Sequence, residues 1–188
     1  LDYFPVREEF KPIRLKNFNL FKDKINNILV FLGAADQHGA GFTMVQLLDQ
    51  VLNDTRISLI TDRELNQSYS SVNNNNIHYL PLCLDMEKYL KNADAAITGG
   101  GLTKYECAYC CIPNASLTQT VEQDEEAQTF ANAGLTYYLG MAESLDLRKD
   151  KVIEKLKEFQ SVDVRSSLIE NAKKKFITGS TQNLVDAL

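Results

Sequence analysis

An α/β fold is predicted, in which a parallel, Rossmann-like sheet carries helices on both of its faces. Short, continuous apolar runs alternate with amphipathic segments along most of the chain, a pattern typical of repeated strand–helix–strand units. The runs contain few polar residues, as expected of strands that are buried on both sides of a sheet. Loops of small residues directly follow two of them. Such loops lie at the carboxyl ends of the strands, where these folds bind ligands.

Composition narrows the class of protein. The 188 residues are enough for one domain with a substantial core. A net charge of −5 argues against a nucleic-acid partner, because that function needs a basic surface. No apolar run approaches the length of a membrane span, and no signal peptide is visible. Because the chain starts with Leu1 rather than Met, we expect it to be a piece of a longer protein.

The cysteines indicate a reducing compartment. Three of them lie close together on a predicted helix and at its end, at positions 107, 110 and 111, which is a poor arrangement for disulfides. The spacing of Cys107 and Cys110 matches C-x-x-C, but neither His38 nor His78 is placed to complete a zinc site. We therefore expect packed, reduced thiols, no metal and a cytoplasmic protein.

The chain divides into a leading segment and a domain. Residues 1–26 carry aromatic and alternating charged residues without a clear period, so we expect a linker that packs on a neighbour, with a short helix near residues 7–10. Residues 27–188 are expected to form the domain and its C-terminal helices. The predicted strands are residues 28–32, 57–61, 77–80, 95–97, 112–117 and 136–140. The predicted helices are residues 42–52, 85–90, 103–110, 125–133, 147–159 and 164–176, and residues 66–76 are a polar loop.

The stretch from Ile97 to Glu106 carries the strongest functional signal. A strand leads into Gly99, Gly100 and Gly101, and a helix follows. Glycines let a ligand approach the backbone closely, and the free N–H groups at a helix start can bind a phosphate. Glu106 lies one helical turn further on, where its carboxylate can accept hydrogen bonds from two sugar hydroxyls. Phosphate and ribose together predict a nucleotide; the alternative, that the glycines form only a flexible turn, stays open.

Four loops leave the carboxyl ends of predicted strands, at residues 33–41, 81–86, 99–103 and 118–123. In a parallel sheet these ends lie at one edge, so we expect the four loops to line one crevice. The loop that begins at Gly33 lacks the G-x-G-x-x-G spacing, so it does not predict a dinucleotide site.

Together these segments resemble the carboxyl-terminal half of GT-B nucleotide-sugar enzymes. The likeness is to the UDP-sugar hydrolases of pseudaminic acid synthesis and their spore-coat polysaccharide relatives, and more loosely to the N-acetylglucosaminyltransferase that makes lipid II. It covers about residues 1–140. The matching segments are Tyr3, residues 7–10, 33–36 and 93–94, the Gly-Gly-x-Thr-x-x-Glu run at 100–106, Pro113, and residues 122–123, 133–134 and 139–140.

The resemblance implies a UDP or UDP-amino-sugar ligand. The glycine loop would hold the diphosphate, Glu106 the ribose hydroxyls and Gln123 the diphosphate or the sugar, while the loop after the third strand would contact the uracil. The residues assigned in this way are Gly33, Asp36, Leu82, Met86, Gly99, Gly100, Gly101, Leu102, Thr103, Glu106 and Gln123. No cofactor and no catalytic residue are implied, because the catalytic His of the hydrolases belongs to an amino-terminal domain that this sequence does not match.

Three positions depart from the family pattern. Glu122 stands where Asn is usual, and a solvated carboxylate there would repel a diphosphate by about 1 kcal/mol. Ala34 replaces the second glycine of the first loop, and only Gly179 remains of a usual Asp-Gly-x-Gly segment. The pattern therefore indicates a divergent member with an altered ligand preference.

The function expected from the resemblance is hydrolysis that releases UDP from an amino-sugar nucleotide, in surface polysaccharide or nonulosonic acid biosynthesis. Fixed N–H groups of this domain would stabilise the charge on the departing diphosphate. Two alternatives stay open. One is the donor-binding domain of a GT-B glycosyltransferase, and the other is a non-catalytic nucleotide-binding module fused to a sugar-nucleotide cytidylyltransferase. No cluster of carboxylates indicates a metal.

Overall fold

A computed structural model describes residues 6–36, 38–62 and 76–176. The helices are α1 (Lys11–Phe18), α2 (Ala40–Val51), α3 (Met86–Leu90), α4 (Thr103–Tyr109), α5 (Val121–Asn132), α6 (Lys149–Phe159) and α7 (Val162–Lys175). The strands are β1 (Asn27–Phe31), β2 (Arg56–Ile60), β3 (Ile77–Leu80), β4 (Ala95–Thr98), β5 (Asn114–Thr118) and β6 (Tyr137–Met141). Short 3-10 turns lie at Glu8–Phe10, Ala142–Ser144 and Asp146–Arg148. Most of the loop predicted at 66–76, together with Tyr3 and Gly179, lies outside the described residues.

The six strands form one parallel sheet in the order β3-β2-β1-β4-β5-β6. This order confirms the predicted Rossmann-like fold. In the central pair, β1 and β4, Val30 is opposite Ile97 and Phe31 is opposite Thr98. The strand order reverses at this pair, so the loops after β1 and β4 begin side by side at the carboxyl edge of the sheet.

Apolar side chains pack against both faces of the sheet. Ile28 and Val30 of β1 belong to a core that includes residues of α2 and α6, whereas Leu29 belongs to a second core that includes Cys107 of α4. This alternation is the period of two that a strand imposes. Every residue of β4 and β5 is buried, as expected of inner strands of a parallel sheet that is covered by helices on both faces.

The leading segment contains a longer helix than the sequence indicated. Its 3-10 turn continues directly into α1, which has Pro12 in its first turn, where the missing N–H of proline is tolerated. Phe10 and Ile13 are buried in the second core. The sequence predicted a helix only near residues 7–10. Helix α1 was missed because it buries only Ile13 and Arg14, and so its sequence has no apolar period.

Two buried arginines fasten the leading segment to the domain. Arg14 donates hydrogen bonds to the carbonyl oxygens of Tyr109 at 2.6 Å and Phe176 at 2.8 Å. Arg165 of α7, which is 1% exposed, donates to the carbonyl of Lys22 at 2.7 Å and to that of the next residue. A buried guanidinium whose donors are all directed at carbonyls is satisfied without a carboxylate partner.

Helix α5 begins at Val121 rather than at residue 125. The hydroxyl of Thr120 accepts a hydrogen bond from the N–H of Gln123 at 3.3 Å and caps the helix. The start was missed because the first turn is polar and lacks an apolar period. The correction places Gln123 in the first turn of a helix instead of in a loop.

The thiols of Cys107, Cys110 and Cys111 are buried and free of disulfides. Burial raises the pKa of all three, so they are protonated at neutral pH. They therefore behave as small apolar side chains of the core.

Two features of other protein classes are not found in the described part of the chain. No helix there is both long and apolar enough to cross a bilayer. No three side chains of His, Cys, Asp or Glu come together there as ligands for a metal ion.

Candidate functional site

Three loops meet at the carboxyl edge of the sheet. They follow β1, β4 and β5, which lie in that spatial order without a strand between them. The amide of Gly99 extends the β1–β4 pairing by donating to the carbonyl of Phe31 at 3.0 Å. The glycine loop after β4 is therefore held between the loop that starts at Gly33 and the first turn of α5.

The three glycines have different neighbours. A Cβ atom on Gly99 would lie 2.7 Å from the carbonyl oxygen of Leu32, and one on Gly100 would lie 2.3 Å from the Cβ of Gln123. These two positions require glycine because β1 and α5 approach them so closely. A Cβ atom on Gly101 would have nothing within 4 Å, and Gly101 is exposed. Packing within the described residues does not account for the third glycine, whose surroundings leave room for a ligand.

The amides of the glycine loop are unpaired. Within the described ranges, no protein atom accepts a hydrogen bond from the N–H of Gly100, Gly101, Leu102 or Thr103. Gly101 and Leu102 are exposed, whereas Gly100 is buried and Thr103 is half-buried. Several N–H groups that are directed at one region create a local positive potential and favour an anion.

Glu106 lies on α4 one turn beyond the glycine loop, with its side chain 17% exposed. Its Oε1 accepts a hydrogen bond from the guanidinium of Arg7 at 3.4 Å. Burial raises the pKa of Glu106 above its ordinary value, Arg7 opposes the rise and Glu87 adds to it. A carboxylate with a single cationic partner still has lone pairs that can accept hydrogen bonds from hydroxyls.

Arg7 is a site residue that the sequence interpretation missed. Its guanidinium donates to the carbonyl of Leu84 at 3.0 Å, in the loop after β3, and also lies 3.9 Å from a carboxylate oxygen of Glu87. Together with the bond to Glu106, these contacts hold the β3–α3 loop close to α4. In the sequence Arg7 is visible only as part of a linker pattern, and no local signal connects it to a partner 99 positions further along the chain.

Gln123 is in direct contact with the glycine loop. If a Cβ atom were placed on Gly100, the Cβ of Gln123 would be its nearest neighbour. Its side-chain oxygen accepts a hydrogen bond from the N–H of Gln119 at 3.1 Å. The sequence prediction that Gln123 joins the crevice is therefore consistent with its position, and its contact with a ligand stays a prediction.

Asp124, the next residue, anchors the start of α5. Its carboxylate accepts hydrogen bonds from Thr118 at 2.6 Å, from Gln128 at 2.6 Å and from the hydroxyl of Tyr138. Burial works to raise the pKa of Asp124, and these three hydrogen bonds outweigh it and lower the pKa below its ordinary value. The ionised carboxylate thus ties α5 to β5 and β6, and so fixes the position of Gln123.

Gln119 carries a buried amide group without partners. The residue follows β5 and is 8% exposed, yet among the described residues neither its Nε2 nor its Oε1 has a hydrogen-bond partner. Native proteins rarely leave such groups unsatisfied, and an exception marks a place where water or a ligand completes the bonding. Sequence analysis did not single out this residue, because an isolated Gln after a strand carries no pattern.

Two residues that the resemblance assigned to the ligand have their side chains occupied by the protein itself. The carboxylate of Asp36 accepts hydrogen bonds at 3.0 Å from each of the first two amides of α2, and Met86 is 6% exposed within the second core. Leu82 is half-buried, and Gly33 has a φ of +104° with no neighbour within 4 Å of a Cβ. At these loops the backbone, rather than the side chains of Asp36 and Met86, is left as the candidate for ligand contact.

Glu122 and His38 are both exposed. The backbone N–H of Glu122 and the hydroxyl of Thr120 lower the pKa of the Glu122 carboxyl, so it is ionised at neutral pH. Glu122 therefore adds a negative charge to the first turn of α5, where the sequence comparison expected a neutral Asn.

A basic cavity of about 440 Å³ lies elsewhere, beside the starts of β1 and β2. Its lining includes Lys22 and Lys88, but these are paired with Asp94 and Asp85. Two of its four lining cations among the described residues are thus neutralised, while Lys16 and Arg56 also face it. The cavity is separate from the crevice at the carboxyl edge.

Comparison with known proteins relates the chain to glycosyltransferases. The profile of the glycosyltransferase family 28 C-terminal domain matches residues 40–186. The spore coat polysaccharide biosynthesis protein SpsG of Bacillus subtilis is 30% identical over 156 residues, which are 76% of this chain and 43% of that protein. MurG of Acinetobacter baumannii has a similar structure, with a TM-score of 0.71 and 19% identity over 98% of this chain and 56% of that chain. Arabidopsis thaliana UGT89C1, in its complex with UDP, gives a TM-score of 0.60 and 12% identity over 98% of this chain and 47% of that chain.

The chain spans about half the length of the proteins that it matches, 43% of SpsG and 56% of the A. baumannii MurG. The structural likenesses confirm the predicted fold, the C-terminal half of a GT-B arrangement.

Proposed function

Because the chain belongs to the glycosyltransferase family 28 C-terminal domain family, we propose that it is the donor-binding half of a GT-B glycosyltransferase that uses a UDP-sugar. We prefer a transferase to the hydrolase expected from the sequence resemblance, since the matched family is a glycosyltransferase family and none of the relatives reported above is named a hydrolase. The name of SpsG and the UDP complex of UGT89C1 support a role in polysaccharide biosynthesis and a uridine nucleotide.

The observation that carries the proposal is the row of unpaired amides at residues 100–103, one helical turn before Glu106. We assign the diphosphate to these amides and to the hydroxyl of Thr103, and the ribose hydroxyls to Glu106. The backbone near Leu82 is assigned to the uracil, because Arg7 holds that loop close to Glu106.

The sugar end of the donor is assigned to the start of α5. Gln123 contacts the glycine loop, and its side chain is bonded to the backbone of Gln119, whose own amide group is unpartnered among the described residues. Amides of this kind recognise sugar hydroxyls or phosphate oxygens. An amino-sugar nucleotide is the donor class to test first. The acceptor site and any general base are assigned to the remaining half of the protein, and a cytoplasmic location is part of the proposal.

In this reaction the chain would stabilise the leaving group. As the bond between the sugar and the diphosphate breaks, negative charge builds up on the diphosphate, and amides fixed in advance stabilise that charge without reorganising. The site offers this stabilisation through backbone groups, so the chemistry does not depend on a titrating side chain at the phosphates.

The ligand is tested by isothermal titration calorimetry of the 188-residue chain with UDP, uridine and pyrophosphate. We expect UDP to bind more tightly than either part, and to raise the melting temperature, because a ligand that binds only the folded state stabilises it by mass action. A folded chain that shows no heat and no thermal shift with millimolar UDP would refute the donor site.

The reaction type is tested with the full-length protein and a UDP-amino-sugar. A transferase releases UDP at a rate that depends on added acceptor, and the sugar appears on the acceptor. Release of UDP and free sugar at the same rate with and without acceptor would restore the hydrolase and reject the transferase.

A further inference from the structure

Lys104 follows the glycine loop by only a few positions, yet its side chain is 0% exposed. Its ammonium donates hydrogen bonds to the carbonyl oxygens of Gly100 and, at 3.4 Å, Gly101. It also lies 3.3 Å from a carboxylate oxygen of Glu126 and 4.4 Å from the centre of the Tyr105 ring. Removing an ammonium from water is costly, so a lysine that is buried against two loop carbonyls calls for an explanation.

Planar peptide groups connect these contacts to the free amides. The structure contains no cis peptide bonds in its described residues, and in a trans peptide the C=O and the following N–H point in opposite directions. The carbonyls of Gly100 and Gly101 point inward to Lys104. The N–H groups of Gly101 and Leu102 therefore point away from Lys104, and Gly101 lies on the exposed side of the loop.

We propose that Lys104 is a positioning residue that fixes the peptide groups of the glycine loop, so that the amides of Gly101 and Leu102 face the diphosphate of the donor. This role rests on the proposed function. By binding the two carbonyl oxygens, Lys104 also keeps these partial negative charges away from the phosphates, which they would repel. The unsatisfied buried amide of Gln119, next to Gln123, independently indicates that a polar ligand completes this region.

The competing explanation is a purely structural ion pair between α4 and α5. Glu126 is half-exposed, however, and it also accepts a hydrogen bond from the hydroxyl of Tyr105. A structural pair of this kind requires no contact with the carbonyls of the loop. Burial lowers the pKa of Lys104, and the Glu126 carboxylate opposes that change.

The test compares UDP with uridine in the Lys104→Met chain, with Lys157→Met on the exposed face of α6 as the matched control. We expect UDP affinity to fall roughly tenfold or more, the range for loss of hydrogen bonds that involve a charged group. Uridine affinity should stay unchanged, because uridine has no phosphates, and the control should match the unaltered chain. Equal losses for UDP and uridine, or no loss for either, would overturn the positioning role.

Two further variants keep the test decisive. Glu126→Gln leaves the contacts of Lys104 with the loop in place, so we expect the ratio of UDP to uridine affinity to be retained. A fall in this ratio as large as that of Lys104→Met would assign the effect to the ion pair and overturn the proposal.

If Lys104→Met does not fold, Lys104→Gln, which can still donate to one carbonyl, should show an intermediate loss of affinity for UDP alone. If the unaltered chain binds no UDP, the proposed function fails together with this role. If it binds UDP and the Lys104 variants keep the ratio of UDP to uridine affinity, the role of Lys104 alone is refuted.

Discussion

Gly100 and Gly101 are adjacent and chemically identical, but they are under different constraints. The first is glycine because α5 lies against it, whereas none of the described residues has an atom within 4 Å of a Cβ placed on the second. A stretch of three glycines in a sequence thus combines positions required for packing with a position that packing leaves free.

Alanine substitutions should separate the two constraints. We expect Gly100→Ala to lower stability by about 1–3 kcal/mol, the usual cost of overpacking, because the new methyl group would overlap Gln123. Gly101→Ala should leave the melting temperature unchanged and weaken UDP binding, because its methyl group would occupy the approach of the ligand. Thermal unfolding and calorimetry measure the two effects. Unchanged UDP affinity in Gly101→Ala would show that a ligand does not approach this glycine.

Glu106 illustrates a conflict between binding and stability at one residue. Its carboxylate is largely removed from water, and burial is the main reason that its pKa is raised. Since the folded state then binds a proton more readily than the unfolded chain does, the ionised form lowers stability at every pH above the ordinary value of 4.5.

We therefore expect Glu106→Gln to have opposite effects on stability and on binding. At pH 8 the variant should melt at a higher temperature than the unaltered chain, and the difference should shrink as the pH falls toward 4.5. UDP affinity should fall about tenfold, with no change for pyrophosphate. The control is Glu154→Gln, an exposed carboxylate on α6. An equal loss for UDP and pyrophosphate would exclude the ribose role.

At the scale of elements, the start of α5 determines how the site is built. The helix brings Gln123 to the glycine loop, and Asp124 ties the same turn to β5 and β6 through three hydrogen bonds. A single turn thus provides both a candidate ligand contact and the anchor that fixes its position.

Asp124→Asn should test this anchor. The amide can no longer accept all of the hydrogen bonds, and we expect a loss of about 1–3 kcal/mol at neutral pH. Folding lowers the pKa of Asp124, so the ionised carboxylate stabilises the fold at pH values above the pKa that Asp124 has in the unfolded chain. This stabilisation is lost as the pH falls through the pKa that Asp124 has in the folded state. The stability difference should accordingly narrow in acid. Denaturant unfolding at several pH values measures it, with Asp150→Asn on the exposed part of α6 as the control. A difference that does not depend on pH would show that the anchor is not ionic.

At the scale of the molecule, the leading segment and the sheet form one packed unit. Phe10 and Ile13 lie in the second core, while Arg14 and Arg165 join the segment to α4 and α7. The described part of this segment is therefore not a free linker. Its sequence nevertheless resembles that of a linker, because it is rich in charged residues and has no clear apolar period.

Arg165→Met should destabilise the whole fold. The carbonyls that Arg165 satisfies would be left without a donor, and we expect a loss of about 2–4 kcal/mol. For a chain of this size that loss lowers the melting temperature by roughly 5–15 °C. Lys151→Met, exposed on α6, is the control. A variant that melts within a degree of the unaltered chain would mean that the segment is held by its apolar contacts alone.

The features that the sequence predicted well are those with local causes. Apolar runs and glycine loops located the strands, and the strand–helix alternation gave a parallel sheet with helices on both faces. The features that it missed depend on contacts between distant positions. Neither the bond of Arg7 to Glu106 nor the burial of Lys104 has a local pattern, because each is created only when the sheet brings separate loops together.

At two of the assigned positions the structure shows what the side chain does within the protein, while contact with a ligand stays a prediction. Asp36 and Met86 fall at the expected loops, but one side chain caps α2 and the other enters the core. A resemblance places a residue along the chain, and it does not tell in which direction the side chain points. For Gln123, the assignment to the crevice stays a prediction, and the helix start that orients the side chain was not visible in a polar first turn.

The two buried arginines also determine where the molecule can bend. A hinge between Phe10 and Asn27 would have to pull Arg14 away from the end of α4, or Arg165 away from the backbone near Lys22. Either movement would break the hydrogen bonds that a buried guanidinium donates to two backbone carbonyls. Any swing of a neighbouring domain must therefore pivot outside this stretch, and α1 travels with the sheet as a rigid body.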